Sequence, residues 1–505
     1  MGERDLNRRY TLVLDAGTSC AKCFVYDDEG RVVGSSRRAW DFVESGEAYS
    51  LAREWEPEAL WRAFCELIKE TVCGSGIARG DIGSVAVTSQ RQAMVFLDGE
   101  GYTLYAGPNL DLRAFFEGAE IDDAYTDLVY RTTGHLPSFL FVPAKLKWFA
   151  RHQPEVYERV SKALALGDWL VYRLTGEIAN ERTLAGEAGL LDIGSGEWCH
   201  SLLSELGVMF DTGRLVDAGS VVGRLSSTAA GETMLHEGKP VVAAGADTQC
   251  GLLGIGVHER GEVGIVAGWS APVQMITEAP MYSMDASSWV GRFPVPDRWV
   301  AESSAGDLGN AYSWLVNMLC GDATDGFEAM DAAAGRVSAG SEGVQAIMGS
   351  ARTQYSSPRM RTGGFVFPVP MTLSELGRGN FARAALESAA YGIRANLDAL
   401  ELVGVRTAVT VALGGGMIRS RTLAPIVADV LGREIRMSQS PDASGLGAWL
   451  CAESAGGGFT TLDEAADWAK ERTSAVEPNP HVSAEYELFY RQWLELAERM
   501  DKVSL

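Results

Sequence analysis

The stretch Leu14-Asp15-Ala16-Gly17-Thr18-Ser19 sets an acid, a glycine and two hydroxyls at a tight turn between two apolar runs. Glycine lets backbone approach an anion closely, and adjacent free N–H groups form a nest that binds one. Asp15 would repel a phosphate held there unless a divalent cation lay between them, most simply a Mg2+ that keeps part of its water shell. The same residues would also make a hairpin whose Asp bonds its own turn. Much further on, residues 241–244 run apolar into Gly245-Ala246-Asp247 and a helical pattern. An acid at that point could take a proton from a hydroxyl, cap the helix, or do both. Gly414-Gly415-Gly416-Met417 follows another apolar run and suits the flat approach of a nucleotide's base and sugar, or a strained connection.

Other patterns carry less. Gly74, Gly76 and Gly80 mimic a dinucleotide fingerprint but follow a helical pattern instead of a strand. Cys20 and Cys23 have CxxC spacing without a second pair, so they read as buried thiols, and the six histidines form no metal-binding pattern. Trp55, Trp61, Trp148, Trp169 and Trp314 lie in helical patterns, where packing is expected.

The elements that must position these residues follow from length and periodicity. At 505 residues the chain exceeds the size of a single core, so two large lobes are expected. Residues 10–14, 23–26 and 31–34 read as a β-meander, 55–72 as a helix stopped by Gly74, and 84–88 and 93–97 as strands. The second half repeats that logic: strands at 263–266 and 272–276 flank Ala267-Gly268-Trp269-Ser270, and a helix at 382–400 leads to a strand at 409–413, with 421–431 helical. The expected architecture is α/β, two similar lobes of mixed sheets flanked by helices with a cleft between them, joined near residues 258–261 and divided as 1–259 and 260–505.

Composition bounds the partners. A net charge of -23 disfavours nucleic acid, whose binding rests on Lys and Arg releasing counterions. No run approaches the roughly 18 apolar residues of a membrane span, and the basic start lacks a secretory apolar stretch. A cytoplasmic protein with eight reduced cysteines and no membrane partner is the expectation. A homodimer is an admissible assembly, with no interface legible in the chain.

Taken in order, DAGTS (15–19), SQRQ (89–92), NLDLRA (109–114), TGHLPSFLFVPAKLKWF (133–149), DWLVYRLTGE (168–177), GADTQ (245–249), GGGM (414–417) and IVADVLG (426–432) resemble the FGGY family of carbohydrate kinases. That family belongs to the actin-like ATPase superfamily, and the resemblance spans nearly the whole chain. SQRQ, NLDLRA and DWLVYRLTGEIANERTLAGEAGLLD are most similar to the autoinducer-2 kinase branch, with xylulose and glycerol kinases more distant. The resemblance implies two ribonuclease-H-like lobes, ATP between them, and phosphorylation of a small sugar, polyol or autoinducer-2-like open-chain ketose. It implies Asp247 as general base; Asp15 and Asp247 near Mg2+; Gly17, Thr18, Ser19, Lys22, Gly268 and Ser270 at the ATP phosphates. Gly415, Gly416 and Ser420 would hold the adenosine, and Arg91, Gln92, Asp111 and Thr248 the acceptor. Departures from the family pattern are Gln92 in place of an acid, Leu140 in place of the glycerol kinases' tyrosine, and Trp269 where the second phosphate turn carries threonine. The family's Gly-Glu-Arg-type loop is also unrecognisable between Gln345 and Gly379, where residues 349–371 read GSARTQYSSPRMRTGGFVFPVPM. A catalytically weak nucleotide-binding sensor or partner-binding protein on the same fold is the alternative reading.

Overall fold

The computed structural model describes residues 10–43, 51–268, 270–304, 306, 308–321, 323–349, 351–352, 361–369, 375–404 and 407–503. Trp269 and, within the 349–371 segment, residues 350, 353–360, 370 and 371 lie outside them. In the first half, β1 (Tyr10–Ala16), β2 (Cys20–Tyr26) and β3 (Val32–Ala39) form the expected meander. Helix α1 (Pro57–Ser75) then carries the chain to β4 (Ile82–Ser89), which lies parallel to β1. β5 (Ser220–Arg224) and β6 (Pro240–Ala246) complete a sheet in the order β5-β6-β4-β1-β2-β3. Met94–Leu97 belongs instead to a separate three-stranded sheet, between Thr103–Gly107 and Lys162–Ala165.

The second half builds β7 (Val263–Val266), β8 (Pro272–Thr277), β9 (Trp289–Arg292), β10 (Trp299–Ser304), β11 (Val411–Gly414), β12 (Ile435–Ser438) and β13 (Thr473–Val476), in the order β9-β10-β8-β7-β11-β12-β13. Without the extra edge strand β9, this is the first sheet again. In each, an antiparallel meander meets two parallel strands and an antiparallel edge. Parallel neighbours need a crossover, supplied by α1 in one half and α3 (Arg378–Glu401) in the other.

Helix limits differ from the periodic reading for local reasons. Glu56 accepts from the N–H groups of Glu58 and Ala59 ahead of Pro57, which starts α1. Gly74 stays inside the helix, and Gly76, at φ 71°, ends it in the left-handed conformation. α3 begins four residues before the expected 382, where the N–H of Gly377 donates to Asn380 Oδ1 at 3.0 Å. The strand expected from residue 409 begins at Val411. The helix expected over 421–431 is Leu423–Leu431. Trp55, Trp61, Trp148 and Trp169 are buried as expected, but Trp314, on the helix Leu308–Cys320, is 56% exposed.

Two apolar cores fill the halves, and a third joins them. Helix α2 (Asp247–Gly254) leaves the first sheet, while α4 (Ala443–Ala455) leaves the second and packs back on β1, β4 and β6. The two helices touch through glycine: a Cβ on Gly447 would lie 1.8 Å from the Cys250 carbonyl oxygen, and one on Gly254 2.2 Å from that of Ala443. Only backbone fits at this crossing.

Candidate active site

A cleft opens at the carboxyl ends of β1, β6, β7 and β11, the edge where doubly layered α/β sheets bind ligands. On β1, Asp15 is buried and sits opposite Lys22 in register. Lys22 Nζ lies 3.7 Å from Asp15 Oδ2 and 3.2 Å from Asp442 Oδ1, so one cation bridges carboxylates from both halves. Burial works against the Lys22 charge, but Asp15 and Asp442 outweigh it and push the amine up to about 12. Burial likewise raises Asp15, with Lys22 opposing. The turn after β1 is held from two sides: the Gly17 carbonyl accepts from Trp40 Nε1 at 3.0 Å and from Gln90 Nε2 at 3.2 Å. Asn109 Nδ2 donates to Thr18 Oγ1 at 2.9 Å.

Asp247 is aimed by a bulge. The register of β6 against β4 shifts between Ala243 and Gly245, and Gly245 adopts φ 104°. A side chain there would strike Thr183 Oγ1 at 2.6 Å and Glu181 Oε2 at 2.9 Å, so glycine is required. Thr183 Oγ1 accepts the Ala246 N–H at 2.9 Å and donates to Glu181 Oε2 at 2.6 Å, fixing the residue before Asp247. Burial pushes Asp247 up to about 7; the nearby Asp15 charge adds to this, while Arg91 and a 3.0 Å hydrogen bond from Thr248 oppose it. A carboxylate poised there is matched to taking a proton at neutral pH.

Across the cleft, the Gly268 N–H donates to the Ser270 carbonyl at 2.9 Å, closing a tight second turn. Gly415 has φ 89°, and a Cβ on it would lie 2.5 Å from the Ala267 carbonyl oxygen. The Ala267 N–H donates to Gly414 at 2.8 Å and the Met417 N–H to Ala267 at 3.0 Å, which stitches the glycine run to that turn. A Cβ on Gly416 would meet nothing within 4 Å, so the space beside it is open to a flat ligand.

At the other end, Arg91 reaches over the cleft. Its Nη1 and Nη2 donate to Glu302 at 2.6 and 2.9 Å, Nη1 lies 3.4 Å from Glu187, and the guanidinium sits 5.2 Å over the Trp289 ring. Gln92 also donates to Glu187, at 3.2 Å, which holds it at φ 60°, a strained value for this side chain. Burial opposes the Glu187 charge, but Arg91 and His135 hold its carboxyl down to about 2.

Of the expected site residues, Asp15, Gly17, Thr18, Ser19, Lys22, Arg91, Gln92, Asp247, Thr248, Gly268, Ser270, Gly415 and Gly416 line this one cleft. Two lie off it. Asp111 is fully buried, accepting from Arg53 N–H, Tyr105 Oη and Arg113 Nε, with Lys145 Nζ 3.5 Å away, so its oxygens are spent on protein groups. Ser420 donates to Asp331 Oδ1, whose carboxylate also receives the N–H groups of Arg421 and Thr422. Asn109 and Asp442 line the cleft without having been singled out, Cys20 is half-buried on its wall where a buried thiol was expected, and Glu187 and Glu302 stand behind Arg91. Asn109 carries a buried Oδ1 with no partner among the described residues. It was within reach of the sequence, two residues before Asp111 in NLDLRA.

The donor set fits a magnesium ion in one way only. Asp15 Oδ1 is buried with no hydrogen-bond partner among the described residues, and Asp247 is close enough to feel its charge. Among the described residues no group of three His, Cys, Asp or Glu side chains could enclose an ion. Two carboxylates suit a cation that keeps waters and leans on phosphates, as Mg2+ does. All eight cysteines are free, and among the described residues no helix is long and apolar enough to cross a membrane.

Two sheets of matching strand order, acids at the ends of β1 and β6, and glycine turns facing them across a cleft define a two-lobed protein of the actin-like ATPase class. The chain belongs to the FGGY family of carbohydrate kinases, whose N-terminal domain model matches residues 10–254 and whose C-terminal domain model matches residues 264–456. It is 27% identical over 509 residues to the autoinducer-2 kinase of Enterobacter sp. (strain 638), covering 96% of this chain and 93% of that one. The crystal structure of xylulose kinase from Rhodospirillum rubrum superposes with a TM-score of 0.82 at 25% identity, covering 97% and 99% of the two chains. Plasmodium falciparum glycerol kinase with ADP has the same fold, with a TM-score of 0.82 at 19% identity and 99% of each chain covered. As a member of this family the chain is an ATP-dependent phosphotransferase acting on a carbohydrate.

Proposed function

We propose that this kinase transfers the γ-phosphoryl group of ATP to a hydroxyl of a small sugar, polyol or open-chain ketose of the autoinducer-2 type, with Asp247 as the base. The observation that carries this reading is the Asp247 carboxyl, lifted to about 7 and aimed by the Gly245 bulge into the cleft that Asp15 and Lys22 also line. Residues 1–259 would supply the base and most acceptor contacts, and 260–505 the adenosine side. Likeness to the autoinducer-2 kinases over 96% of the chain supports the open-chain acceptor.

Phosphoryl transfer asks chiefly for alignment and charge stabilisation. Arg91, Gln92, Thr248 and the unpartnered Asn109 Oδ1 would orient the acceptor so that one hydroxyl faces Asp247. Asp247 takes that proton as the oxygen attacks the γ-phosphorus. The Gly17–Ser19 turn would offer N–H and hydroxyl donors to the phosphates, Ser270 a hydroxyl from across the cleft, and Lys22 a cation. A magnesium ion held by Asp15 and Asp247 would neutralise triphosphate charge. Asp247→Asn should lower acceptor-dependent ADP release roughly 10²–10⁴-fold while ATP still binds. Near-normal turnover in that variant would reject the assignment, and ADP release that ignores the acceptor across a panel of ketoses and polyols would reject the kinase reading.

A further inference from the structure

The acceptor end of the cleft has an unusual charge balance. Arg91 is its cation, and two buried carboxylates, Glu302 and Glu187, already face that guanidinium at 2.6 and 3.4 Å. Among the described residues no Lys or Arg other than Arg91 pairs with either acid. Gln274 Nε2 donates to Glu302 at 2.9 Å, Gln249 Nε2 donates to Glu187 at 2.7 Å, and His135 Nε2 stands 3.4 Å from Glu187. The charged residues on the cleft wall itself are Asp15, Asp247 and Asp442 against Lys22 and Arg91, and Lys22 is engaged between two of those acids at the phosphate end. Arg91 therefore presents its remaining N–H donors with its charge already met by two carboxylates.

A hydroxyl or carbonyl oxygen can accept from such a donor. A carboxylate brought to the same place would meet Glu302, Glu187 and Asp247 in a partly dehydrated pocket, where like charges repel with little screening. We infer that Glu302, acting through Arg91 from the opposite lobe, is a specificity-determining residue that restricts the acceptor to uncharged polyhydroxy compounds and turns away aldonates. The inference rests on the reading that Arg91 meets the acceptor. It adds a determinant from the second half of the chain, on β10, to a subsite otherwise built from the first, so the acceptor is read by both lobes.

The test uses the full chain with Mg2+ and ATP and three length-matched pairs: erythrulose with erythronate, xylulose with xylonate, and fructose with gluconate. ADP release gives kcat/KM, and calorimetry on the ADP-loaded protein gives binding. At least one ketose should be used and bound at least about tenfold better than its aldonate. Glu302→Gln keeps the shape and a hydrogen bond to Arg91 but removes the charge, and should raise the aldonate-to-ketose ratio about tenfold or more with the KM for ATP unchanged. Glu302→Asp, which keeps the charge, should retain the wild-type preference; a merely structural role would leave the ratio fixed in both variants. An aldonate used or bound as well as its ketose by the wild type overturns the inference and leaves the kinase reading standing, with no need of a variant. Ketose binding without ADP release overturns the kinase reading and leaves the inference standing. Binding of neither series overturns both.

Discussion

Asp111 gives the sharpest separation between a binding role and a structural one. Its carboxylate is fully buried and is bonded by Arg113 Nε at 2.8 Å, with Lys145 Nζ 3.5 Å from Oδ2 and 2.7 Å from the Asp111 carbonyl. Arg113 is itself enclosed by the rings of Tyr105, Trp148 and Phe149, 4.8 to 5.4 Å from its guanidinium carbon. Burial opposes the Asp111 charge, yet Lys145 and Arg113 hold its carboxyl below the ordinary value. At an effective dielectric of about 20, unit charges 3.5 Å apart attract by roughly 5 kcal/mol, part of which offsets dehydration. Asp111→Asn keeps the shape but strands the buried Lys145 and leaves Arg113 with Glu54 alone, 3.0 Å from its Nη2, so it should cost roughly 3–5 kcal/mol. Urea unfolding followed by fluorescence and far-ultraviolet circular dichroism would report it as a lower midpoint. Adding Lys145→Met to that variant removes the stranded cation and should restore at least about 1 kcal/mol. The depressed carboxyl also contributes stability above its unfolded value near pH 4, lost as pH falls through the folded one, and the Asn variant should lack that acid dependence. An unchanged midpoint together with a tenfold or greater rise in acceptor KM would refute this reasoning and return Asp111 to the acceptor site.

What was legible in the chain was whatever local spacing encodes. The β1 turn could be read because an acid, a glycine and two hydroxyls are contiguous, and α1 because Glu56-Pro57 starts a periodic run. Gly74 misled because a glycine in a helix costs only about 1 kcal/mol and nothing crowds it, whereas Gly76 takes up the left-handed turn that ends the helix. Partners remote in sequence left no such trace. Arg91 and Glu302 are 211 positions apart, and Lys22 and Asp442 are 420 apart. Glu302 sits in a buried strand as a single acid, and Asp442 precedes a helix where an N-cap is the ordinary explanation. Ser420 fits the family's adenosine motif, but only three dimensions reveal that Asp331, 89 positions earlier, takes its hydroxyl. The CxxC pair separates in space for a local reason: Cys20 edges the cleft while Cys23 points into the core.

Gly447→Ala would drive a Cβ to 1.8 Å from the Cys250 carbonyl oxygen and force α2 and α4 apart, costing roughly 1–3 kcal/mol or more; an unshifted thermal transition would show that the crossing is looser than described. The elevated Asp247 carboxyl sets two pH dependences of opposite sense. Acceptor-dependent kcat/KM should fall as pH drops below about 7, because the base then carries a proton, and a profile flat down to pH 5 would count against Asp247. Stability moves the other way. Between its unfolded value near 4 and about 7 the folded chain binds this proton more than the unfolded chain does, so the free energy of unfolding should decline as pH rises through that window. Asp247→Asn removes the titrating group and should flatten that decline while lowering turnover, and a variant that lost activity yet kept the wild-type slope would place the responsible proton on another buried acid, Glu181 being the nearest in value.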